Sequence, residues 1–338
     1  MKKNLGKILT FLWCKDLSLM KYWLEHWNWK LFFDWIFFWK YQYVLKFQGT
    51  PLEHAKKFIE YFADKQYKEN LIKWLDQKSI DTVNQIEKNI KFILDNTSLY
   101  LNREEYWIKV TNKQVKKYIK QYTKDMYLPI ENKEENVFYF KHGIGEIPDL
   151  KEKIKGKDIL DCGAFIGDSA MMFSKEIWFS SNGINKIYCL EPEENNFNLL
   201  KQTIEMNEMN GKIIPLALGV AKQQEKVYLN SNGAASSIWL KTKESVIINV
   251  DMIDNIVKKY GILPWLIKWD IEWLEYDSIL WWEQTIKTYK PILLISIYHN
   301  WKDFYTIKAL IESWNLWYNF IVRHLSTHLF EETMLICY

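Results

Sequence analysis

The sequence predicts an α/β protein with a mostly parallel sheet whose last strand is antiparallel, preceded by a mostly helical N-terminal region. Two observations predict it: short apolar strands alternate with amphipathic helices from residue 137 onward, and no helix separates the last two strands. Parallel strands need a crossover connection, so alternation indicates parallel pairing, whereas a final hairpin makes the last strand antiparallel. The predicted division is a helical region at 1–130 and an α/β domain at 137–338.

The N-terminal region is predicted to be helical because apolar residues recur on one helical face. Three segments show this spacing, at 52–67, 71–75 and 80–94. Aromatic residues crowd the segment 23–43, which predicts either a face packed on the α/β domain or a helix that touches a membrane surface or a partner. A polar linker with a proline is predicted at 128–135.

The α/β domain is predicted to alternate between the two kinds of element. The strands are short runs rich in β-branched and aromatic residues, at 159–162, 186–190, 213–216, 226–229, 246–250, 266–269, 291–298, 319–325 and 333–337. The helices carry apolar residues on one face, at 169–177, 193–207, 252–260, 276–288 and 302–314. Such alternation places helices on both faces of the sheet.

The most informative segment is a glycine turn at 158–170, which reads D-I-L-D-C-G-A-F-I-G-D-S-A. Gly163 and Gly167 allow the backbone of this strand-to-helix turn to approach a ligand closely. Asp168 and Ser169 begin the next helix, whose first backbone N–H groups attract polar groups of a ligand. The segment predicts a cofactor-binding turn, and a branched side chain at Gly163 is expected to abolish binding while sparing the fold.

Glu191 ends the next strand, in the sequence C-L-E-P, where a carboxylate can accept hydrogen bonds from both hydroxyls of a ribose. Together with the turn, it predicts an adenosine-containing cofactor. The spacing Gly163-Ala-Phe-Ile-Gly167 differs from the G-x-G-x-x-G of nicotinamide enzymes. The chain also lacks the G-x-x-x-x-G-K-[ST] loop that holds nucleotide phosphates.

The pattern D-x-G-A-x-x-G-D-S, followed by E-P after the next strand, resembles that of class I S-adenosylmethionine-dependent methyltransferases, and looks most like the FkbM family. Further motifs agree in the same order, at 196–197, 214–219, 267–272 and 295–299. The resemblance covers roughly residues 137–338 and implies a class I methyltransferase domain with a Rossmann-like sheet. It also implies S-adenosyl-L-methionine as cofactor and a hydroxyl of a sugar, a glycan or a small metabolite as methyl acceptor.

The resemblance implies that the turns after the first three strands bind the cofactor. The residues are Asp161, Gly163, Ala164, Gly167, Asp168, Ser169, Glu191, Ala217 and Leu218. Asp161 is expected to contact the methionine end of the cofactor, or else to pin the glycine turn by hydrogen bonds. Asp168 can instead cap a helix, and Ala217 and Leu218 can either line the adenine pocket or pack in the core.

The acceptor side is assigned to Asp270, Glu272 and His299, which follow two neighbouring strands at the edge where open α/β sheets bind ligands. One of them is expected to remove the proton of the acceptor hydroxyl, and a histidine suits that task near neutral pH. The carboxylates can instead cap the next helix, and His299 can instead form a structural hydrogen bond. Three donors are a thin set for a hard cation, so no metal is predicted.

Composition bounds the partners and the compartment. The net charge is +3, from 45 basic and 42 acidic residues, so nothing indicates a nucleic-acid partner. The four cysteines show no metal-binding spacing, which predicts reduced thiols and a cytoplasmic protein. No apolar run reaches the ~20 residues that span a bilayer, so no transmembrane segment is predicted and peripheral contact through the aromatic segment stays open.

The leading hypothesis is therefore an S-adenosylmethionine-dependent O-methyltransferase. One alternative is a nucleic-acid methyltransferase, although enzymes that methylate base amino groups commonly carry N-P-P-Y or D-P-P-Y where this chain has D-I-E-W at 270–273. The other alternative is a non-catalytic cofactor-binding or scaffold protein with the same fold.

Tryptophan is unusually frequent, with 18 residues, whereas glycine is scarce, with 12. Ordinary usage of ~7% would give roughly 24 glycines. Several tryptophans stand where a turn or a helix end favours glycine, which leads to the hypothesis that UGA codons read as glycine have been translated as tryptophan. The best candidates are Trp273, Trp281, Trp282 and Trp317, followed by Trp27, Trp29, Trp178, Trp265 and Trp301. Trp269 and Trp314 fit their positions as tryptophan, and a truly tryptophan-rich protein is the alternative.

Overall fold

The computed structural model describes a large part of the chain. The described residues are 44–45, 58, 65–95, 99–100, 112–130, 133–154, 156–179, 183–230, 237–238, 245–271, 275–326 and 331–338. The aromatic segment 23–43 lies outside them, as do Glu272 and Trp273. The helix expected at 52–67 is described only at 58 and from 65 onward.

The strands are short, and most of them fall where apolar runs predict them. They are β1 Val44–Leu45, β2 Leu99–Tyr100, β3 Lys157–Cys162, β4 Ile184–Leu190, β5 Ile213–Leu216, β6 Gly219–Val220, β7 Glu225–Asn230, β8 Ser237–Ile238, β9 Ser245–Asp251, β10 Pro264–Trp269, β11 Ile292–Ser296, β12 Phe320–His324 and β13 Thr333–Cys337.

Seven strands form the main sheet, in the order β12-β13-β11-β10-β3-β4-β5. The strands from β11 to β5 pair in parallel, whereas β13 pairs antiparallel with both β11 and β12. Leu160 in the middle of β3 pairs with Ile267 of β10 on one side and Tyr188 of β4 on the other. The predicted parallel sheet with an antiparallel last strand is therefore confirmed.

Helices cover both faces of this sheet. They are α1 Lys65–Ile72, α2 Gln77–Asp95, α3 Asn112–Tyr122, α4 Glu135–Phe138, α5 Leu150–Lys153, α6 Asp168–Ile177, α7 Glu194–Met206, α8 Ile253–Tyr260, α9 Glu275–Leu280, α10 Glu283–Tyr289 and α11 Trp301–Ser313. A short 3-10 helix at Lys141–Glu146 lies between α4 and α5.

The alternation of side chains along β3 divides the core into two layers. Leu160 and Cys162 belong to a hydrophobic cluster that also contains buried residues of α1, α2 and α8 to α11. Ile159 belongs to a second cluster, built with α3, α4, α6 and α7. The sheet is therefore buried on both faces. Strand β10, with the sequence P-W-L-I-K-W, agrees with this because all six of its residues are buried.

The described N-terminal helices α1 and α2 are held against the end of the sheet by polar contacts as well as by the core. The Arg323 guanidinium of β12 lies 2.8 Å from a carboxylate oxygen of Asp76, between the two helices. The Ser79 hydroxyl accepts a hydrogen bond of 2.9 Å from the Val322 N–H. These contacts join the first described helices to the last hairpin of the chain.

Three predicted elements, one helix and two strands, differ from the structure. The helix expected at 276–288 is two helices, α9 and α10, separated by Trp281 and Trp282. The strands expected at 226–229 and 246–250 do not extend the main sheet, but pair in a second sheet with the order β6-β9-β7-β8. Among the described helices, none has both the length and the apolar character needed to cross a lipid bilayer.

Candidate functional site

The candidate site lies where the turns after β3, β4, β10 and β11 meet, at the carboxyl ends of the strands. Asp161 lies near the end of β3, Glu191 follows β4, Asp270 follows β10 and His299 follows β11. All four side chains are at least four-fifths buried. The structure therefore brings the residues assigned to the cofactor and to the acceptor to one edge of the sheet.

The glycine turn is locked against the turn after β10. Gly163 has a φ of 76°, and both its N–H and that of Ala164 donate to the Leu190 carbonyl. A Cβ on Gly163 would lie 1.8 Å from the backbone carbonyl oxygen of Asp270. The expectation that a branched side chain at Gly163 would spare the fold is therefore wrong, because any side chain there collides with protein backbone.

The second glycine permits close packing of two helices. Gly167 precedes α6 with a φ of 83°, and a Cβ there would lie 2.6 Å from Leu200 Cδ1 of α7. Asp168 is thus the first helical residue and not the cap, and its carboxylate accepts from the Ser169 N–H at 2.8 Å. Burial, and then the nearby Glu134 carboxylate, raises the pKa of Asp168 to about 7.

Glu191 is held by two backbone donors. Its Oε2 accepts from the Phe165 N–H in the glycine turn, and its Oε1 accepts from the Glu193 N–H, both at 2.9 Å. Burial raises the pKa of Glu191 to about 7, although these two hydrogen bonds oppose the shift. Each carboxylate oxygen can accept a second hydrogen bond, so the group is oriented and can still receive two ligand hydroxyls.

Asp161 forms a buried ion pair that the sequence prediction missed. Lys268 Nζ of β10 lies 3.1 Å from Asp161 Oδ1 and donates to the Gly163 carbonyl at 3.0 Å. Burial alone would lower the pKa of Lys268, but the carboxylates of Asp161 and Asp270 outweigh it and raise that pKa above its usual range. Asp161 therefore fixes the glycine turn through Lys268, and not by bonding to the turn directly.

His142 reaches the start of α6 from the 3-10 helix. It is 1% exposed, and its Nε2 lies 2.8 Å from the Ser169 hydroxyl. Burial, and then the positive charge of Lys268, lowers the pKa of His142 to about 3, so the imidazole is neutral at physiological pH. The cofactor side of the site thus contains a neutral histidine beside a helix N-terminus.

The turn after β5, the strand next to β4, contains the two residues assigned to the adenine pocket. Ala217 is exposed, and Leu218 is half-buried with its N–H donating to the Leu216 carbonyl at 2.8 Å. Leu218 lines a cavity of about 390 Å³ together with Lys226, Val250 and other residues of the second sheet. Since Ala217 is exposed, core packing does not explain this residue.

The acceptor side contains an Asp270–His299–Glu275 chain. His299 is 2% exposed, and its Nδ1 lies 2.8 Å from Glu275 Oε1, while its Nε2 faces Asp270 Oδ1 at 3.6 Å. Glu275 is fully buried and also accepts from the Ile271 N–H at 3.2 Å. The third predicted residue, Glu272, lies outside the described residues.

The three donor groups of this chain lie within 4.8 Å of one another, a spacing that a divalent cation could use. In addition, each ring nitrogen of His299 faces a different carboxylate, Nδ1 at contact distance from Glu275 and Nε2 beyond hydrogen-bond distance from Asp270. Behind it, Asp303 accepts from the Tyr276 N–H at 3.0 Å, and burial together with the Glu275 charge raises the pKa of Asp303 to about 9. A protonated Asp303 avoids a second uncompensated charge next to Glu275.

The sequence prediction omits three residues of this site. Lys268 carried a signal, since a lysine inside a continuous apolar strand is buried and needs a partner. Glu275 carried a weaker one, as the third acid in the sequence D-I-E-W-L-E. His142 carried none, because it lies upstream of the recognised motifs in K-H-G-I-G-E, and only the tertiary fold brings it to the site.

No family model and no curated protein matches the chain. Among solved structures, it is similar to methyltransferase FkbM from Methylobacillus flagellatus KT, with a TM-score of 0.56 and 19% identity over 84% of this chain and 60% of that protein. The chain thus spans less than two thirds of the length of that protein. Weaker likenesses include an O-methyltransferase from Bacillus cereus in complex with SAH, with a TM-score of 0.36, 10% identity and coverage of 79% of this chain and 99% of that one. With its strand order and this likeness, the chain has the fold of the class I methyltransferases.

Proposed function

We propose that this protein is an S-adenosylmethionine-dependent O-methyltransferase that acts on a hydroxyl group of a sugar, a glycan or a small metabolite. The observation that carries the proposal is the meeting, at one sheet edge, of an oriented Glu191 carboxylate with the Asp270–His299–Glu275 chain. The first group suits the diol of a ribose, and the second suits proton removal from an acceptor.

The charges of the site favour a cationic ligand. Five carboxylates of the described site are largely buried against the single ammonium of Lys268, namely those of Asp161, Asp168, Glu191, Asp270 and Glu275. A positively charged ligand would stabilise the ionised forms of Asp168 and Glu191 and so offset the cost of their burial. S-adenosylmethionine carries a sulfonium and an ammonium, which this arrangement suits.

When bound, S-adenosylmethionine supplies an electrophilic methyl group. His299 is the candidate base, because donation of its Nδ1–H to Glu275 would leave the Nε2 lone pair to accept the proton of the acceptor hydroxyl. Glu275 would then stabilise the imidazolium that forms, and Asp270 would orient the hydroxyl. The Asp161–Lys268 pair holds the glycine turn that would contact the cofactor.

The reduced state of the cysteine thiols agrees with a cytoplasmic location. Cys162, Cys189 and Cys337 are buried and free in the described part of the chain. Burial raises the pKa of all three thiols, which keeps them protonated and unreactive. We infer that the protein works in a reducing compartment.

The proposal is tested by calorimetry with S-adenosylhomocysteine, followed by transfer of labelled methyl groups to a panel of sugars, glycans, small phenols and RNA. Binding together with transfer to a hydroxyl acceptor supports it. Transfer to an RNA base would show the nucleic-acid alternative to be right. Binding without transfer to any acceptor would favour a non-catalytic role, and absence of binding would refute the cofactor itself.

A further inference from the structure

The imidazole of His142 is buried at the cofactor side with an unexplained ring nitrogen. Its Nε2 is engaged by the Ser169 hydroxyl at 2.8 Å, whereas Nδ1 has no hydrogen-bond partner among the described residues. His142 also has a φ of 49°, in the left-handed region that is uncommon for residues other than glycine. A buried polar atom without a partner is costly, so both observations indicate a side chain held in place for a ligand.

The surroundings of His142 indicate that the ligand group there is an anion. The ring lies at the start of α6, a helix of 10 residues whose N-terminal backbone N–H groups favour anions. Lys268 adds a nearby positive charge, strong enough to act on the His142 ring. If the Ser169 hydroxyl donates to Nε2, the remaining ring hydrogen sits on Nδ1, which makes the unpartnered atom a donor.

The same region offers a complementary acceptor. Asp161 is fully buried, and its Oδ1 lies beside Lys268, while its Oδ2 has no hydrogen-bond partner in the described part of the chain. A donor for an anion and an acceptor for a cation, both near Lys268, suit a zwitterion. The amino-acid end of S-adenosylmethionine is such a group.

We propose that His142 binds the carboxylate at the amino-acid end of the cofactor through Nδ1–H, next to the contact of Asp161 with the same end that the family resemblance implies. The proposal rests on the proposed function and assigns to His142 a binding role outside the glycine motif. Ser169 acts as the positioning residue, since its hydroxyl sets the tautomer and the orientation of the ring.

The test compares S-adenosylhomocysteine with 5′-methylthioadenosine, which keeps the adenosine and lacks the amino-acid end. The variant is His142→Asn, because asparagine tolerates a left-handed backbone. We expect its affinity for S-adenosylhomocysteine to fall by about tenfold or more, the loss of a hydrogen bond to a charged group. Its affinity for 5′-methylthioadenosine should stay within about twofold. Ser169→Ala should show the same selectivity with a smaller loss.

The matched control is Glu191→Gln, which should weaken both ligands because both contain the ribose. An equal loss for both ligands in His142→Asn and Ser169→Ala would show that His142 only shapes the fold, and unchanged affinity would show that it touches no ligand. Either result overturns the inference. If the unaltered protein binds neither ligand, the proposed function itself fails.

A second, independent inference concerns the tryptophans. Trp74, Trp178 and Trp317 have φ angles of 64°, 67° and 65°, and they are 79%, 68% and 91% exposed. Trp178 is the residue directly after α6, Trp74 lies two residues after α1, and Trp317 lies in the turn between α11 and β12. In helix ends and turns, glycine is the usual residue with a positive φ because it has no Cβ. A bulky residue there is a conformational outlier, and these indoles gain little burial in return.

The packing of two tryptophans in the core is separate evidence that tryptophan stands at a position suited to glycine. The ring centroids of Trp269 and Trp282 lie 3.1 Å apart, closer than the 4.5–7 Å at which aromatic rings pack. Both residues are fully buried, and both indole N–H groups have no hydrogen-bond partner among the described residues. The space therefore suits one indole and not two.

We infer that glycine occupies positions 74, 178, 282 and 317 in the natural protein, because its gene contains UGA codons that the organism reads as glycine. Trp282 and Trp317 are two of the best candidates from the sequence, Trp178 is one of the further ones, and Trp74 is added by its backbone. Trp314 has an ordinary helical φ of −78° and remains tryptophan.

Two measurements test this inference. The gene should have UGA at these four codons and UGG at Trp314, and peptides of the protein from its own source should have the mass of glycine there. In recombinant protein, Trp74→Gly, Trp178→Gly and Trp317→Gly should each raise Tm by a few degrees, whereas Trp314→Gly should lower it. UGG codons at 74, 178, 282 and 317, or a lower Tm in all three glycine variants, would overturn the inference.

Discussion

At the scale of single residues, Glu191 is the clearest case of a side chain arranged for a ligand. Two backbone N–H groups fix its carboxylate, one from the glycine turn and one from the start of α7. The protein therefore keeps a buried acid whose ionised form is only partly stabilised. A ligand that donates hydroxyl hydrogens would complete its coordination.

Replacing this carboxylate by an amide should weaken cofactor binding. In Glu191→Gln, one oxygen is exchanged for an NH₂ group that faces a backbone donor and cannot accept from a ribose hydroxyl. We expect affinity for S-adenosylhomocysteine to fall by roughly 1.5–3 kcal/mol, measured by calorimetry. The control is Glu193→Gln, because Glu193 caps α7 through the Asn196 N–H. Equal affinity in both variants would contradict the assignment.

The raised pKa of Glu191 predicts how the affinity for S-adenosylhomocysteine depends on pH. The pKa of Glu191 is raised to about 7, whereas ribose hydroxyls favour its ionised form. Binding should therefore release a proton, and affinity should rise with pH up to about 7 and become constant above it. Calorimetry in buffers of different ionisation enthalpy measures that proton. In Glu191→Gln this dependence should become smaller, and the part that persists is expected to come from Asp168, whose pKa is also raised to about 7.

Replacing His299 should lower the turnover of methyl transfer without changing cofactor affinity. In His299→Ala, we expect affinity for S-adenosylhomocysteine to stay the same and methyl transfer to fall by ~10²–10⁴-fold, the usual contribution of a general base. His324→Ala is the matched control, since His324 lies at the end of β12 with its Nδ1 3.4 Å from the Thr333 hydroxyl. If both variants keep full activity, the base is a carboxylate and not this histidine.

At the scale of elements, the site depends on β10 and β3 being joined by a buried charge pair. Lys268 and Asp161 are partners in register on these neighbouring strands. Removing one partner leaves the other charge buried without compensation, which costs more than the pair contributes. The pair therefore keeps the glycine turn in place only as long as both members are present.

A double-mutant cycle measures this coupling. Lys268→Met should lower the free energy of unfolding by about 3–5 kcal/mol in urea titrations. Adding Asp161→Asn should recover a large part of that loss, because no unpaired charge remains. Additive losses would show that the two residues act independently.

At the scale of the whole molecule, the N-terminal helices and the final hairpin stabilise each other through Arg323. The Arg323 guanidinium, which outweighs the opposing effect of burial, lowers the pKa of Asp76. A lowered pKa in the folded state contributes stability above the unfolded pKa, and that contribution is lost as the pH falls below about 4. The contact between the two ends of the described chain should therefore weaken in acid.

Chemical unfolding at pH 5 and pH 3 tests this contact. The unaltered protein should lose more stability between these values than Asp76→Asn, which has no proton to gain at this position. Asp81→Asn, at an exposed position of α2, should behave like the unaltered protein. A fall in Asp76→Asn as large as in the unaltered protein would contradict the role of this ion pair.

The fold could be read from the sequence because its signals are local. Apolar runs that alternate with helices, and the missing last helix, predict a parallel sheet with an antiparallel last strand, and Glu191 directly follows its strand in the sequence. The contacts that complete the site are not local, since His142 and Ser169 are 27 positions apart and Lys268 and Gly163 are 105 apart. The second sheet could not be predicted either, because the sequence of a short strand does not indicate which sheet the strand joins.

The packing of Gly163 against Asp270 restricts how this site can be altered. The Asp270 N–H donates to the Cys162 carbonyl, and its own carbonyl fills the space beside the glycine, so the two turns interlock as one rigid unit. A loop taken from another protein of this fold to change ligand preference would carry a new backbone path into the glycine turn. Engineered chimaeras should therefore transplant both turns together, and libraries that randomise only one should yield mostly misfolded protein.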